Sequence, residues 1–594
     1  MLCKIDKSNI DQMQRILTLL SFSRRPLLLE EFADAYAIDP QSGHLDLDRR
    51  LLDIADIENS YPGLVRIVHS VDNEDEQILE GLTICIAHSS LQKYFVSDKI
   101  RESEAAHFSL QGEAAQKVMA QICVAYLLQL KQHSDKVSQG MVEGSPLAHY
   151  AAESWFHHYQ QIEHVDPHLS EQILALFQDQ GIFESWVSLH DIDRLWESKS
   201  SCQPYPAGPL SPIYCASYLG LDWVLEKLLN EPGGNEVCAV SSVHGYGGRL
   251  GNALQAAAWE GHDEIVKALH DRGVDVNISG EMCGMLMLKY TSSDGTTCGG
   301  WCGNALQAAS RNGHQGVVQI LLYCGADVNA AGGEYETALH AASANGHVTV
   351  VQMLLDWGAD IHAYDEVFGD PLQVASLRSH KEVVQTLLSR GAQLKNEGGQ
   401  EGNALEAASR TGNEEMVQLL LDNGADANAY SGCYCNALSN AAFRDHQRIV
   451  EILLDHGADP NAGPFRILGS PLIWAAHRGN EKIVQLLLNR GADIAAPGSS
   501  RGNALQAASM KGNEGVVRLL LEHGADVNAR SGDDKTTALQ FASRRGHKSV
   551  VLVLLDSGAD VNAPGGQFGT SAEVALKQGH MDIVQILRAA GSKS

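Results

Sequence analysis

Gly303-Asn304-Ala305-Leu306-Gln307-Ala308-Ala309 opens a block that recurs down the last two-thirds of the chain. Gly251-Asn252-Ala253-Leu254, Gly402-Asn403-Ala404-Leu405 and Gly502-Asn503-Ala504-Leu505 open others, and blocks close on Gly-Ala-Asp, as at Gly325-Ala326-Asp327, Gly424-Ala425-Asp426 and Gly457-Ala458-Asp459. Aligned on the Asn or its substitute, the series runs Asn252, Asn304, Thr337, Asp370, Asn403, Asn436, Ser470, Asn503, Thr537, Thr570, and from Asn304 every step is 33 or 34 residues. A fixed period of this length marks a solenoid, whose units each stack on their neighbours and present a long surface to partners.

Every aligned residue has a short polar side chain able to accept a backbone N–H in the first turn of a helix. The helix after it carries Leu and then two small residues, as in Leu306 with Ala308-Ala309, which lets neighbouring helices approach closely. Gly313, Gly346, Gly412 and Gly512 end it, since a left-handed C-cap costs Gly little. A second helix follows, with core positions Val317, Val318, Ile320, Leu321 and Leu322, or Ile483, Val484, Leu486, Leu487 and Leu488. A Gly-rich turn leads to the next block.

Thr337-Ala338-Leu339-His340-Ala341-Ala342 resembles the Thr-Pro-Leu-His signature of the ankyrin repeat; Ala usually replaces the Pro, while Pro371 and Pro471 keep it. The resemblance spans residues 208–594. A degenerate first copy starts near Ser211-Pro212-Ile213-Tyr214, with Leu228-Leu229 in its second helix, which makes eleven copies. Arg588 stands in the last copy where others have Leu322, Leu488 or Leu521, as the outer face of a terminal repeat requires. Two spacings are long: 41 residues from Ser211 to Asn252 and 52 from Asn252 to Asn304. The second adds a projecting turn with Met282, Cys283, Met285, Met287, Cys298, Trp301 and Cys302. Zinc would need a fourth ligand beside its cysteines, and none is evident, so no metal is expected there or at Cys433-x-Cys435.

Residues 1–200 hold 16 basic and 31 acidic side chains, and residues 201–594 hold 28 and 42, for a net charge of −29. Neither part has the basic excess that phosphate backbones need, which disfavours nucleic-acid binding. No run of about 18 apolar residues is present to span a bilayer. The start, Met1-Leu2-Cys3-Lys4-Ile5-Asp6, lacks a signal-peptide pattern, and twelve scattered cysteines suit a reducing cytoplasm.

Residues 1–205 do not repeat. Asp11–Phe22, a segment starting at Pro26 and Arg49–Ile57 read as helices; Leu64–Val68 and Leu82–Ile86 read as strands around an acidic turn at Asp72–Glu76. Three helices followed by a hairpin are the parts of a winged-helix domain, placed at 1–100. Helices over Glu113–Leu130 and Leu147–Tyr159 belong to a helical segment at 101–207. The fold expected is thus mostly α, an ankyrin solenoid at 208–594 behind a winged-helix and helical module. Leu20-Ser21-Phe22-Ser23-Arg24-Arg25-Pro26-Leu27, Ala87-His88-Ser89-Ser90-Leu91-Gln92-Lys93-Tyr94-Phe95 and Tyr150-Ala151-Ala152-Glu153-Ser154-Trp155 resemble the segment after the NTPase of fungal NACHT–ankyrin proteins, which are NLR-like receptors. That resemblance implies a sensor or scaffold half. The chain has no Gly-x-x-x-x-Gly-Lys-Ser/Thr to cradle phosphates, so no nucleotide, cofactor or enzymatic activity is carried over. Either the motor lies upstream or the chain is a receptor remnant; an adaptor for a separate enzyme is a further reading.

His262, His314, His347, His547 and His580 recur at one position, with Asn413, Asn480 and Asn513 in other copies. Interchange of His with Asn points to helix capping. His157-His158 beside Glu153 reads as a partly exposed helix face. The two residues before each helix-ending Gly are often basic: Arg311, Arg378, Arg410, Arg444, Arg478, Lys511, Arg544, Arg545 and Lys577. The ankyrin resemblance implies that they face the concave groove and bind a protein partner with an acidic or phosphorylated segment. Cations also suit a helix C-terminus on electrostatic grounds alone. Tyr335, Phe368, Tyr434 and Phe568, each two residues before an N-cap, are expected to add aromatic contacts from the turns.

Overall fold

The computed structural model describes residues 10–40, 42–46, 63–69, 82–103, 105–130, 145–164, 166–190, 210–230, 250–278, 303–333, 335–394, 402–431, 436–462, 469–498, 502–530, 535–564 and 569–592. The expected helix at Arg49–Ile57, the acidic turn at Asp72–Glu76, the long turn with its cysteines and Trp301, the Cys433-x-Cys435 pair, Tyr434 and Phe568 lie outside them. The chain divides into two compact units, with the boundary at Asp275 and Val276.

In the first unit, helix α1 (Ile10–Phe22) buries Met13, Ile16, Leu17 and Leu19 on one face. Pro26 does not start the next helix. Leu27–Leu28 forms a short strand, β1, and helix α2 (Leu29–Ala37) begins after it. Strand β2 spans Val65–His69 and β3 spans Leu82–Ile86, in the antiparallel order β1-β3-β2, with Leu27 opposite Ile84 and Val65 opposite Ile86. Further helices cover Ser89–Phe95, Gly112–Gln129, Ala148–Tyr159, Pro167–Gln178 and Gln180–Leu189. Tyr126 donates its hydroxyl to Asp34 at 2.7 Å and ties the Gly112–Gln129 helix to α2. Trp155, Phe177 and Trp186 form an edge-to-face core, with Trp155 and Trp186 centred 5.5 Å apart. Two helix pairs complete this unit, Pro212–Leu219 with Asp222–Asn230 and Ala253–Glu260 with Asp263–Asp271. The Trp223 indole N–H donates to the Tyr159 hydroxyl at 3.1 Å, which seats the first pair on the helical segment.

The second unit stacks helix pairs from Ala305–Asn312 with Gln315–Tyr323 through to Ser571–Lys577 with Met581–Ala589. Each inner helix packs on the next. The aligned residues are N-caps throughout, and all except Ser470 accept a first-turn N–H with their side chains. Gln307, Gln506 and Gln540 close capping boxes, and their amides also donate to two carbonyls in the next turn, as Gln506 does to Ala529 O and Thr536 O at 2.9 and 2.8 Å. One side chain thus caps its own helix and spaces the neighbouring repeat. On the outer helices Val317, Val318, Leu321, Leu322, Ile483, Val484 and Leu487 are buried, while Ile320, Leu486 and Leu488 are half-buried. Arg588 is exposed in the last pair.

A second cross-repeat link runs through the turns. Asn461 donates to Gly491 O at 3.0 Å and accepts from Asp493 N at 2.7 Å; Asn277, Asn329, Asn428 and Asn528 do the same one repeat on. Ala495 holds this place in one repeat and cannot make either bond. Net hydrogen-bond contributions of about 1 kcal/mol each lead us to expect that Asn461→Ala lowers stability by about 1–2 kcal/mol and that Ala495→Asn raises it by about 1 kcal/mol. Urea unfolding curves of the two variants check both signs.

Candidate functional site

The inner helix ends in a left-handed residue nine positions after its N-cap. Gly holds that place in most repeats, but Ser379 and Asp445 hold it at φ 64° and 72°. Above it lies the His or Asn of the next repeat: a Cβ on Gly313 would meet the His347 ring at 2.5 Å, and one on Gly479 would meet Asn513 at 2.8 Å. These histidines do not cap their helices. The Nε2–H of His347 donates to Arg311 O at 2.9 Å, that of His380 to Ala344 O at 2.9 Å and that of His547 to Met510 O at 3.2 Å. The capping expectation therefore holds for Asn413 and Asn480, which accept from Met416 N and Ile483 N, and is corrected for the histidines and for Asn513, whose amide donates to Ala476 O and His477 O instead. Imidazole reaches past its own helix to the preceding one, where a bare Gly leaves room for it.

This junction fixes the two residues before the left-handed one, where the basic side chains sit. They occupy two registers, not one. Arg311, Arg410, Arg544 and Lys577 stand seven positions after their N-caps; Arg378, Arg444, Arg478, Lys511 and Arg545 stand eight after. Adjacent helical positions point about 100° apart, so the two sets do not form one line. Arg410 in particular is half-buried and acts electrostatically on Glu406, whereas Arg444 and Arg478 are exposed. Arg311 is half-buried and lies 5.3 Å from the centre of the Tyr335 ring.

The eighth position gives a continuous row. Arg444, Arg478, Lys511 and Arg545 come from four consecutive repeats and are all exposed. The uncharged Thr411 and Gln578 hold the same place on either side. The guanidinium groups of Arg444 and Arg478 both lie over Phe443, 5.9 and 5.6 Å from its centre, and Phe443 packs edge-on against Trp474 at 4.6 Å. Among the described residues none of the four has a carboxylate within ion-pair distance. The outer-helix cations differ. Lys381, Arg390, Arg490 and Lys548 each pair with an acid of a neighbouring repeat, Glu415, Asp356, Asp455 and Asp582, at 2.7, 2.8, 2.8 and 3.8 Å.

The turn aromatics take another part. Tyr335 and Phe368 are 8% and 7% exposed, centred 5.6 Å apart, and pack with Ala341, Ala344 and Val374. Their rings brace the turn against its helix and present little surface to a partner. The exposed aromatics are ones the periodic reading passed over: Tyr364 and Tyr430, each four residues after the Asp of Gly-Ala-Asp, and the edge-to-face pair Tyr323–Trp357 on the outer helices. Their signal was an aromatic at a position other repeats fill with small or polar residues.

His158 is not on an exposed face. It is buried, bonded to Gln116 Oε1 at 2.6 Å and the Tyr150 hydroxyl at 3.1 Å, and burial lowers its pKa to about 4. Glu153 instead pairs with Arg24 at 3.2 Å. Burial also lowers the pKa of His340, which bonds to Thr337 and Gly369 O, and raises that of Glu406, which accepts from Asn403 N, Ser431 N and the Ser431 hydroxyl. Among the described residues no group of three or more His, Cys, Asp or Glu side chains is placed to hold a metal ion, and no helix is long and apolar enough to cross a membrane.

Stacked helix pairs, with a cationic row along one face, form a solenoid. A family model described as an ankyrin repeat matches residues 252–281, and one described as ankyrin repeats matches 280–365, 365–431, 405–498 and 472–565. The chain belongs to the ankyrin-repeat proteins. Azaphilone pigments biosynthesis cluster protein L of Monascus ruber is 36% identical to it over 279 residues, 46% of this chain and 58% of that protein. The match thus spans little more than half of that relative's length. The ankyrin repeat domain of human ASB11 is 25% identical over 37% of this chain and 98% of its own length, with a TM-score of 0.34.

Proposed function

We propose that this protein is a non-catalytic recognition module that captures an acidic segment of a protein partner on the face carrying Arg444, Arg478, Lys511 and Arg545. The observation that carries the reading is their alignment: one register, four consecutive repeats, exposed side chains and no carboxylate partner among the described residues, in a chain of net charge −29. Cations left unpaired in a surplus of acid are available to an outside carboxylate, and Arg binds one through two parallel hydrogen bonds. Nucleic acid would be attracted to the row and repelled by the rest of the surface. The test is fluorescence anisotropy of a labelled glutamate-rich peptide with the full chain. Binding is expected at low ionic strength and should weaken as salt screens the row. Absence of binding at low salt would refute the reading.

We further propose that the array is the sensor or scaffold part of an NLR-like protein, working in the cytoplasm, with a winged-helix domain and a helical segment ahead of about eleven repeats. Three observations support this. The three stretches that resemble NACHT–ankyrin proteins pack together: Arg24 N donates to the Tyr150 hydroxyl at 3.0 Å, and the Gln92 amide donates to Ser21 O at 2.6 Å. The sheet order β1-β3-β2 with α1 and α2 suits a winged helix. The helix pairs among the described residues of the two units support that repeat count. An adaptor serving a separate enzyme is the second reading, favoured by the name of the Monascus ruber relative. Isolation of the protein with its bound partners distinguishes them: an NTPase or effector supports the first, a biosynthetic enzyme the second.

A further inference from the structure

We infer that the segment held by the cationic row is an extended, left-handed strand carrying a carboxylate at every third residue. The inference rests on the reading above and specifies the partner's form. Four cations at one register of successively packed inner helices are spaced by the interhelical distance, about 8–10 Å. A polyproline II strand advances about 3.1 Å per residue with three residues per turn, so side chains three apart share a face and lie about 9 Å apart. A β-strand puts residues three apart on opposite faces. Its same-face pairs, two apart, are only about 7 Å from each other, so they fall out of step by the second rung. An α-helix brings residues three or four apart onto one face at only about 4.5–6 Å, and residues seven apart at about 10.5 Å, which overshoots more with each rung. Of the regular backbones, only the three-residue strand keeps step over all four.

The site has a built end. Phe443 holds the Arg444 and Arg478 guanidinium groups at 5.9 and 5.6 Å, and is itself fixed edge-on by the buried Trp474. The first two rungs are therefore held side by side, so less side-chain entropy is lost when they bind. Phe443 is half-exposed between them and offers an apolar floor of the kind that extended proline-rich segments dock on. Asp445, next in sequence to Arg444, is engaged by the Asn480 amide. The uncharged Thr411 and Gln578 bound the row, so it reads four carboxylates and no more.

The experiment compares labelled twelve-residue peptides of identical composition, binding the full-length chain. One carries glutamate at positions 1, 4, 7 and 10 in a proline- and alanine-rich background. A second alternates glutamate with other residues, and a third clusters the four glutamates. A helical peptide with carboxylates seven apart and a single-stranded oligonucleotide complete the set. The three-residue spacing should bind about tenfold more tightly than its isomers, the equivalent of about 1.4 kcal/mol. Arg478→Ala should weaken that peptide several-fold and bring its affinity close to that of the clustered isomer. Equal affinity of the three isomers would overturn the inference while leaving capture of acidic segments intact. Tighter binding of the helical peptide or the oligonucleotide would overturn it as well. If no acidic peptide binds at low salt, the proposed function itself falls.

Discussion

Replacing Arg25 with alanine is expected to destabilise the first unit by about 3–5 kcal/mol, the cost of stripping the partner from a buried charge. Glu31 is only 3% exposed at its side chain, and Arg25 meets both its oxygens at 2.7 Å. Among the described residues the other donor on that carboxylate is the Leu28 N–H at 2.7 Å. The guanidinium also lies 5.2 Å from the centre of the Tyr150 ring, so the change loosens the seat of the Ala148–Tyr159 helix. Glu31→Gln should cost less, because Arg25 keeps access to water. Hydrogen exchange in α2 and the Ala148–Tyr159 helix measures the effect where it arises. A loss below about 1 kcal/mol would show that the pair behaves like an exposed ion pair.

Acid should weaken the same unit. His158 titrates near 4, chiefly because burial disfavours the charged ring. The unfolded chain takes up that proton from about pH 6.5 downward, before the folded one does. Its contribution is therefore complete above pH 6.5, lost as pH falls, and exhausted near pH 4. A gap of this size corresponds to a loss on the order of 3 kcal/mol. His340 and His380 also titrate below the usual imidazole range, through burial first, and add the same sign in the repeats. Local opening energies from hydrogen exchange at pH 7.5 and pH 4.5 should differ accordingly around His158. In His158→Gln the difference should shrink. An unchanged pH dependence in that variant would assign the acid sensitivity elsewhere.

The repeat was legible because its signals are local. N-caps, left-handed glycines and Leu-x-Ala-Ala each follow from a few neighbouring residues, and the helices fall within a residue or two of where the spacing puts them. What lies between repeats was harder to read. Gln307 looks like any capping-box residue until its amide is seen to reach the next turn, and the His series looks like capping until its ring is found over the previous Gly. The basic series was legible as a composition but not as a geometry. Positions seven and eight after the N-cap are adjacent in sequence and about 100° apart in space, so Arg410 belongs to a different line from Arg444 and Arg478. Tyr335 and Phe368 could not be told from exposed turn aromatics without their packing partners. In the N-terminal unit Pro26 read as a helix start, but Leu27 and Leu28 are drawn into pairing with Ile84 and Thr83, 47 and 46 positions beyond the end of α2 at Ala37.

The central claim, that the row is a binding surface, is tested most directly by removing equal charge from two places. In one variant Arg444, Arg478, Lys511 and Arg545 become Gln; in the other Lys381, Arg390, Arg490 and Lys548 do. Both lose four positive charges, so any effect of net charge is matched. Affinity for the four-glutamate peptide is then measured with each protein, alongside its melting curve. The row variant should lose binding by at least about a hundredfold, roughly 2.7 kcal/mol, with little change in melting. The outer-helix variant should keep most of its affinity. If both variants bind alike, or if the row variant loses stability and not affinity, the cations serve their own helix ends and the account is wrong.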